Sequence, residues 1–80
     1  MAGDAAIESL RSALALSPDN LPLHRLLADS LLGLGRAEEA EQEYRRALAR
    51  WADDRDLKLG LATAFEQQDK ASHAQVVLDE

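Results

Sequence analysis

Few residues in this sequence combine a type and a spacing that could support catalysis. The two histidines, His24 and His73, stand far apart in the chain, and neither lies in an H-E-x-x-H or comparable zinc-binding spacing. The sequence contains no cysteine, so thiolate sites and disulfides are excluded. No serine lies in a nucleophile elbow, and no GxxxxGK loop is present to hold a phosphate. We therefore predict that the chain is not an enzyme and that it binds no metal or cofactor.

A short basic strip is the one feature that could attract a phosphate group. It consists of Arg45, Arg46 and Arg50, and the same segment carries the glutamates Glu38, Glu39, Glu41 and Glu43. The whole chain has 15 acidic against 9 basic residues, for a net charge of −6. Nucleic acids and anionic membranes reward clustered positive charge, so neither is expected as a partner. We interpret the strip as the solvated face of a helix.

The composition favours helices as the elements that carry these residues. Alanine and leucine occur 15 times each in the 80 residues, whereas β-branched residues occur at only four positions. No apolar run approaches the length of about 20 residues that a membrane span requires. The first eight residues lack the basic and apolar regions of a signal peptide. These features are typical of a cytoplasmic helical protein.

The sequence repeats itself with a period of 34 residues. Eleven residues recur identically after that interval, and Ala6, Ala40 and Ala74 stand in register in three successive copies. Within each period the apolar spacing predicts two helices, as shown by the stripe of Leu23, Leu27 and Leu31. Five helices result, joined by turns so short that neighbouring helices must run antiparallel.

Polar residues and glycines mark where these helices begin and end. Asp4 is a candidate N-cap for the first helix. Either Asp19 or Asn20 can cap the second, and either Asp53 or Asp54 can cap the fourth. Gly35 is expected to end the second helix, because glycine readily adopts positive φ.

The chain resembles the tetratricopeptide repeat family over essentially its whole length. The best copy, 21–54, has its small contact residues at Ala28, Ala40 and Ala47 and its aromatic residue at Tyr44. The copy departs from the family pattern at His24, where the family has Trp, and the next copy departs at Asp69, where it has Gly. The resemblance implies an all-α, antiparallel helix-turn-helix array in an α-α superhelix of about five helices. It implies one domain over 1–80, with a half repeat at 1–20, a full repeat at 21–54 and an incomplete repeat at 55–80.

The resemblance also implies a non-catalytic protein–protein interaction module that holds a peptide or helix in a concave groove. The family's groove positions correspond here to Arg25, Asp29, Leu32, Asp56, Leu59, Thr63 and Glu66. Acidic residues predominate among them, so the expected partner is a basic or amphipathic protein segment. The carboxylate clamp that some members use for chaperone tails is disfavoured, because Asp29 and Gly60 stand where its asparagines belong. A simpler interpretation is that these acids only keep the chain soluble.

A second hypothesis concerns the last predicted helix. Val76 and Val77 stand where the preceding repeat has Gln42 and Glu43, so a polar face has become apolar. The two valines either form an exposed edge or are covered by a second chain or by further polypeptide. In the second case this end would be an assembly surface, for homo-oligomers or for docking onto a larger protein. An N-terminal segment of an ATPase is an example of such a docking element in the family.

Overall fold

The computed structural model describes residues 2–69 and contains four helices. They are α1 (Ala2–Leu16), α2 (Leu21–Gly33), α3 (Ala37–Leu48) and α4 (Arg55–Gln67). No strand occurs in this part of the chain. The prediction of an all-α helical array is confirmed, while the fifth predicted helix lies outside the described residues.

Side-chain caps begin two of the helices. Asn20 caps α2, where its Oδ1 accepts a hydrogen bond from the Leu23 amide at 3.1 Å, and Asp54 caps α4 through the Leu57 amide at 2.9 Å. These are the second residues of the two predicted pairs. The prediction that Asp4 caps α1 is wrong, because α1 begins at Ala2 and Asp4 lies inside its first turn. Its carboxylate accepts a hydrogen bond from Arg36 instead, at 2.7 Å.

Gly35 reverses the chain between α2 and α3. Its φ is +78°, and its amide donates to the Leu32 carbonyl at 3.0 Å. The Arg36 amide donates to the Leu31 carbonyl at 2.9 Å. These two bonds form a Schellman motif, which satisfies the last carbonyls of α2. Helix α3 begins two residues after Gly35.

The core lies between α2, α3 and α4, and α1 contributes to it through Ile7. Ala28 of α2 and Ala40 of α3 have no exposed surface, so α2 and α3 pack closely at this point. The remaining core side chains come from α2, α3 and α4. They include Leu27, Leu31, Tyr44, Ala47, Leu57, Leu61, Ala62, Ala64 and Phe65.

Ion pairs join α1 to α3. Glu43 is only 5% exposed, and its Oε1 accepts hydrogen bonds from Arg11 at 3.0 Å and from Arg46 at 2.9 Å. Arg36 binds Asp4 and Glu39 together, and its hydrogen bond lowers the pKa of the Glu39 carboxyl. The expectation that Glu43 lies on a solvated face is wrong, because its side chain is buried and its carboxylate is paired with two guanidinium groups, one of which reaches it from Arg11 of α1.

Candidate functional site

The residues predicted to bind a partner lie on two helices that touch each other. Arg25, Asp29 and Leu32 belong to α2, whereas Asp56, Leu59, Thr63 and Glu66 belong to α4. These helices are separated in sequence by α3, yet they contact each other directly. We call the surface formed by these seven residues the α2–α4 face.

An ion pair crosses this face. Nη1 of Arg25 lies 2.9 Å from Oδ2 of Asp56. The Arg25 side chain is 39% exposed and the Asp56 side chain 65% exposed, so both remain accessible to solvent. The pair joins the two helices and balances the one positive charge among the seven residues.

A buried tyrosine fixes a second carboxylate of the face. Tyr44 of α3 has no exposed surface, and its hydroxyl donates a hydrogen bond to Oδ1 of Asp29. Burial, and secondarily this hydrogen bond, raise the pKa of the Tyr44 phenol far above its usual range. The nearby Arg25 acts in the opposite direction. Arg25, Asp29, Asp56 and Tyr44 therefore form one electrostatic group.

Gly60 makes room for the tyrosine. A Cβ added at Gly60 would stand 2.3 Å from both Cε1 and Cζ of the Tyr44 ring, which is too short for non-bonded carbon atoms, so the ring or a helix would have to shift. This role was not predicted from the sequence, in which Gly60 was interpreted only as standing where the clamp has an asparagine. Two features together could have indicated it. Tyr44 is the largest fully buried side chain, and the next helix, α4, contains a glycine in its interior.

The other positions of the α2–α4 face contribute shape more than bonding. Leu59 is 43% exposed, and Thr63 and Glu66 are exposed as well. The Thr63 hydroxyl donates to the Leu59 carbonyl within α4 at 3.0 Å. Leu32 is half-buried against the core. None of these side chains bonds to the Arg25–Asp56 pair, so they share the face without joining the charged group.

His24 occupies a structural position at the start of α2. Its Nε2 lies 2.7 Å from the Pro18 carbonyl oxygen, and its ring centroid lies 5.4 Å from that of Trp51. Its ring therefore packs between the loop that precedes α2 and the residues that follow α3. Across residues 2–69, no three histidine or carboxylate side chains converge as a metal site would require.

The arginines of the basic strip are each paired with a carboxylate. Arg45 binds Glu41 at 2.9 Å, Arg46 binds Glu43, and Arg50 binds Asp19. This arrangement agrees with the interpretation of the strip as the charged outer side of a helix.

The second predicted surface belongs to the last residues of the sequence. Val76, Val77 and His73 lie outside the described residues, so the assembly surface stays a prediction.

No helix in the described range is both long and apolar enough to cross a membrane.

Comparison with known proteins identifies the repeat. A family model described as tetratricopeptide repeat matches residues 2–50, which is more than half of the chain. No curated protein and no solved structure matches the sequence. Tetratricopeptide repeats generally mediate protein–protein interaction and are typically non-enzymatic scaffolds. The match and the helical array agree with the 34-residue period, and the chain belongs to the tetratricopeptide repeat family.

Proposed function

We propose that this chain is a non-catalytic module that binds a basic, amphipathic segment of a partner protein on the α2–α4 face. The observation that carries the proposal is the state of two of its three carboxylates, those of Asp29 and Asp56. Asp29 uses Oδ1 to accept from Tyr44, and Asp56 uses Oδ2 to accept from Arg25. Each keeps a second oxygen, with its lone pairs, for a lysine or arginine of the partner.

An apolar contact lies beside these charges. Leu59 stands three residues after Asp56 on α4, so the two side chains are neighbours on one helix face. Leu59 is also one of the few large apolar side chains that remain well exposed in the described part of the chain. A partner helix with alternating basic and apolar residues matches this combination, the charges setting partner choice and association rate more than affinity.

The proposal can be tested with two synthetic peptides of one amphipathic pattern. The first contains Lys, Leu and Ala, and the second carries Glu at every Lys position. Fluorescence anisotropy at low ionic strength should show binding of the basic peptide and at least about tenfold weaker binding of the acidic one. Asp29→Lys together with Asp56→Lys should weaken binding of the basic peptide at least about tenfold, which corresponds to roughly 1.4 kcal/mol.

A matched variant separates a site from a general charge effect. Glu8→Lys with Glu38→Lys changes the net charge equally, but on α1 and α3, where both side chains are exposed. We expect this control to weaken binding by no more than about threefold, since surface charges act over roughly a Debye length. Equal losses in the two double variants would mean that the acids of the face only contribute to solubility.

A further inference from the structure

The α2–α4 face contains one basic side chain, and that side chain is already occupied. We propose that Asp56 is a specificity-determining residue that withholds Arg25 from acidic partners. The inference rests on the proposed function, since it concerns which segments the same face accepts.

The geometry places Asp56 where an incoming carboxylate would bind. Arg25 offers Nη1 at 2.9 Å to Oδ2 of Asp56, a normal distance for a charge-assisted hydrogen bond. The two residues come from different helices, so the bond needs the folded array and is absent from α2 alone. Asp29, one helical turn after Arg25, adds a second negative charge on the same side of α2.

The charged group of Arg25, Asp29 and Asp56 therefore favours basic partners over acidic ones. A lysine or arginine can bind the open oxygens of Asp29 and Asp56 while both internal hydrogen bonds stay in place. A glutamate or a terminal carboxylate must approach two carboxylates, and it must compete with Asp56 for the guanidinium. Like-charge contacts of this kind exclude wrong partners and so add to the specificity that attractive contacts provide.

Asp53 provides a matched comparison for Asp56. It lies in the loop before α4, it is exposed, and among the described residues it makes no ion pair. Asp53→Asn and Asp56→Asn thus remove the same charge from nearly the same place, but only Asp56→Asn removes the carboxylate that is paired with Arg25. A third variant, Asp56→Asn with Arg25→Gln, removes the released guanidinium again.

The experiment measures binding of the acidic peptide, with Glu at every charged position, to these variants. Exposed ion pairs are modest in strength, so we expect Asp56→Asn to bind it about fivefold more tightly than Asp53→Asn. The gain should disappear in the variant that also carries Arg25→Gln. Circular dichroism of each variant checks that the helices are retained.

Several results would overturn the inference. Equal gains in the two single variants would assign the effect to net charge, and a gain that survives Arg25→Gln would exclude the guanidinium. Failure of Asp56→Asn to bind the acidic peptide would overturn it as well. The proposed function is judged separately, because it fails only if the wild-type chain does not bind the basic peptide on this face.

Discussion

Asp69 repeats the backbone turn of Gly35, 34 residues further along the chain. Gly35 has φ of +78° and Asp69 has φ of +60°. Each amide donates a 3.0 Å hydrogen bond to the carbonyl three residues earlier, at Leu32 and at Glu66 respectively. The same turn therefore ends α2 and α4, although only the first copy has the residue that adopts this conformation without steric cost.

Substitutions at these two positions should act in opposite directions. Asp69→Gly should stabilise the fold by about 0.5–1 kcal/mol, because glycine relieves the left-handed conformation. Gly35→Ala should destabilise it by about 1–2 kcal/mol, because alanine would have to adopt the left-handed conformation. The cost comes from the backbone alone, since no atom lies within 4 Å of the added Cβ. Urea unfolding followed by circular dichroism measures both. Loss of stability in Asp69→Gly would show that the aspartate side chain contributes more than its backbone conformation costs.

The helices and their contacts were predictable because they depend on local patterns. The family resemblance placed Ala28 and Ala40 at small contact positions, and both are fully buried. The burial of Glu43 was not predictable in this way, because it depends on the position of α1, from which Arg11 reaches its carboxylate. Its period equivalent in α1 is Ser9, which is exposed, so the repeat itself pointed to a solvated position.

The candidate site was predictable only in its residue types. The family positions identified Arg25, Asp29 and Asp56, and the structure brings these three together. The pairing of Arg25 with Asp56 and of Asp29 with Tyr44 depends on rotamers and helix separation, which no spacing in one helix encodes. The position of Gly60 against Tyr44 has the same origin, since it depends on how closely α3 and α4 approach.

The phenol of Tyr44 should make the fold sensitive to alkaline pH. Burial and the hydrogen bond to Asp29 raise its folded pKa above the unfolded value of about 10. The folded chain then holds the proton more tightly, so its contribution to stability is complete below pH of about 10 and is lost as the pH rises toward the folded pKa. Above pH of about 10, the wild type should lose stability relative to Tyr44→Phe by about 1.4 kcal/mol per pH unit.

The chain contains one tyrosine, which simplifies the measurement. Tyrosinate absorbance should rise only together with the loss of helical circular dichroism. Tyr44→Phe serves as the control, because it lacks the titrating group and retains the buried ring. Tyrosinate absorbance that rises near pH 10 in a fully helical chain would mean that the phenol is accessible in the folded state.

Equivalent alanines of successive repeats should differ in their tolerance of larger side chains. Ala40 has no exposed surface, whereas Ala6, its equivalent in α1, is exposed. Ala40→Leu should cost about 2–3 kcal/mol through overpacking, and Ala6→Leu should change stability by less than about 0.5 kcal/mol. Thermal unfolding measures the difference. Similar losses at both positions would show that Ala6 is covered in solution.

The carboxylate of Glu43 should help to hold α1 in place through its ion pair with Arg11. Glu43→Ala leaves Arg11 and Arg46 without their shared acceptor, and should cost about 1–3 kcal/mol. Gln42→Ala is a matched control, because Gln42 is the exposed neighbour on the same helix and its loss should be neutral within about 0.5 kcal/mol. Hydrogen exchange should show the increased opening first in α1. An equal loss of protection throughout the four helices would contradict a local role in docking α1.

Gly60→Ala should be the most damaging of the single-methyl additions. The new Cβ would stand 2.3 Å from two ring carbons of Tyr44, so α3 and α4 must separate or the ring must leave its position. We expect a loss of about 2–3 kcal/mol or more, although alanine is otherwise the better residue inside a helix by about 1 kcal/mol. Gly33→Ala is the control, because nothing lies within 4 Å of its added Cβ, and it should be neutral or slightly stabilising.

A double variant identifies the ring as the cause of the damage. The repeat positions equivalent to Tyr44 and Gly60 hold Leu10 and Leu26, so this fold already accepts two aliphatic side chains at the corresponding helix pair. In a Tyr44→Leu background the added methyl group at Gly60 should cost less than about 1 kcal/mol, because the clashing carbons are absent. Urea unfolding of the four members of this cycle measures the coupling. If the cost of Gly60→Ala were the same in both backgrounds, the close approach of α3 to α4 would be set by contacts other than the tyrosine ring.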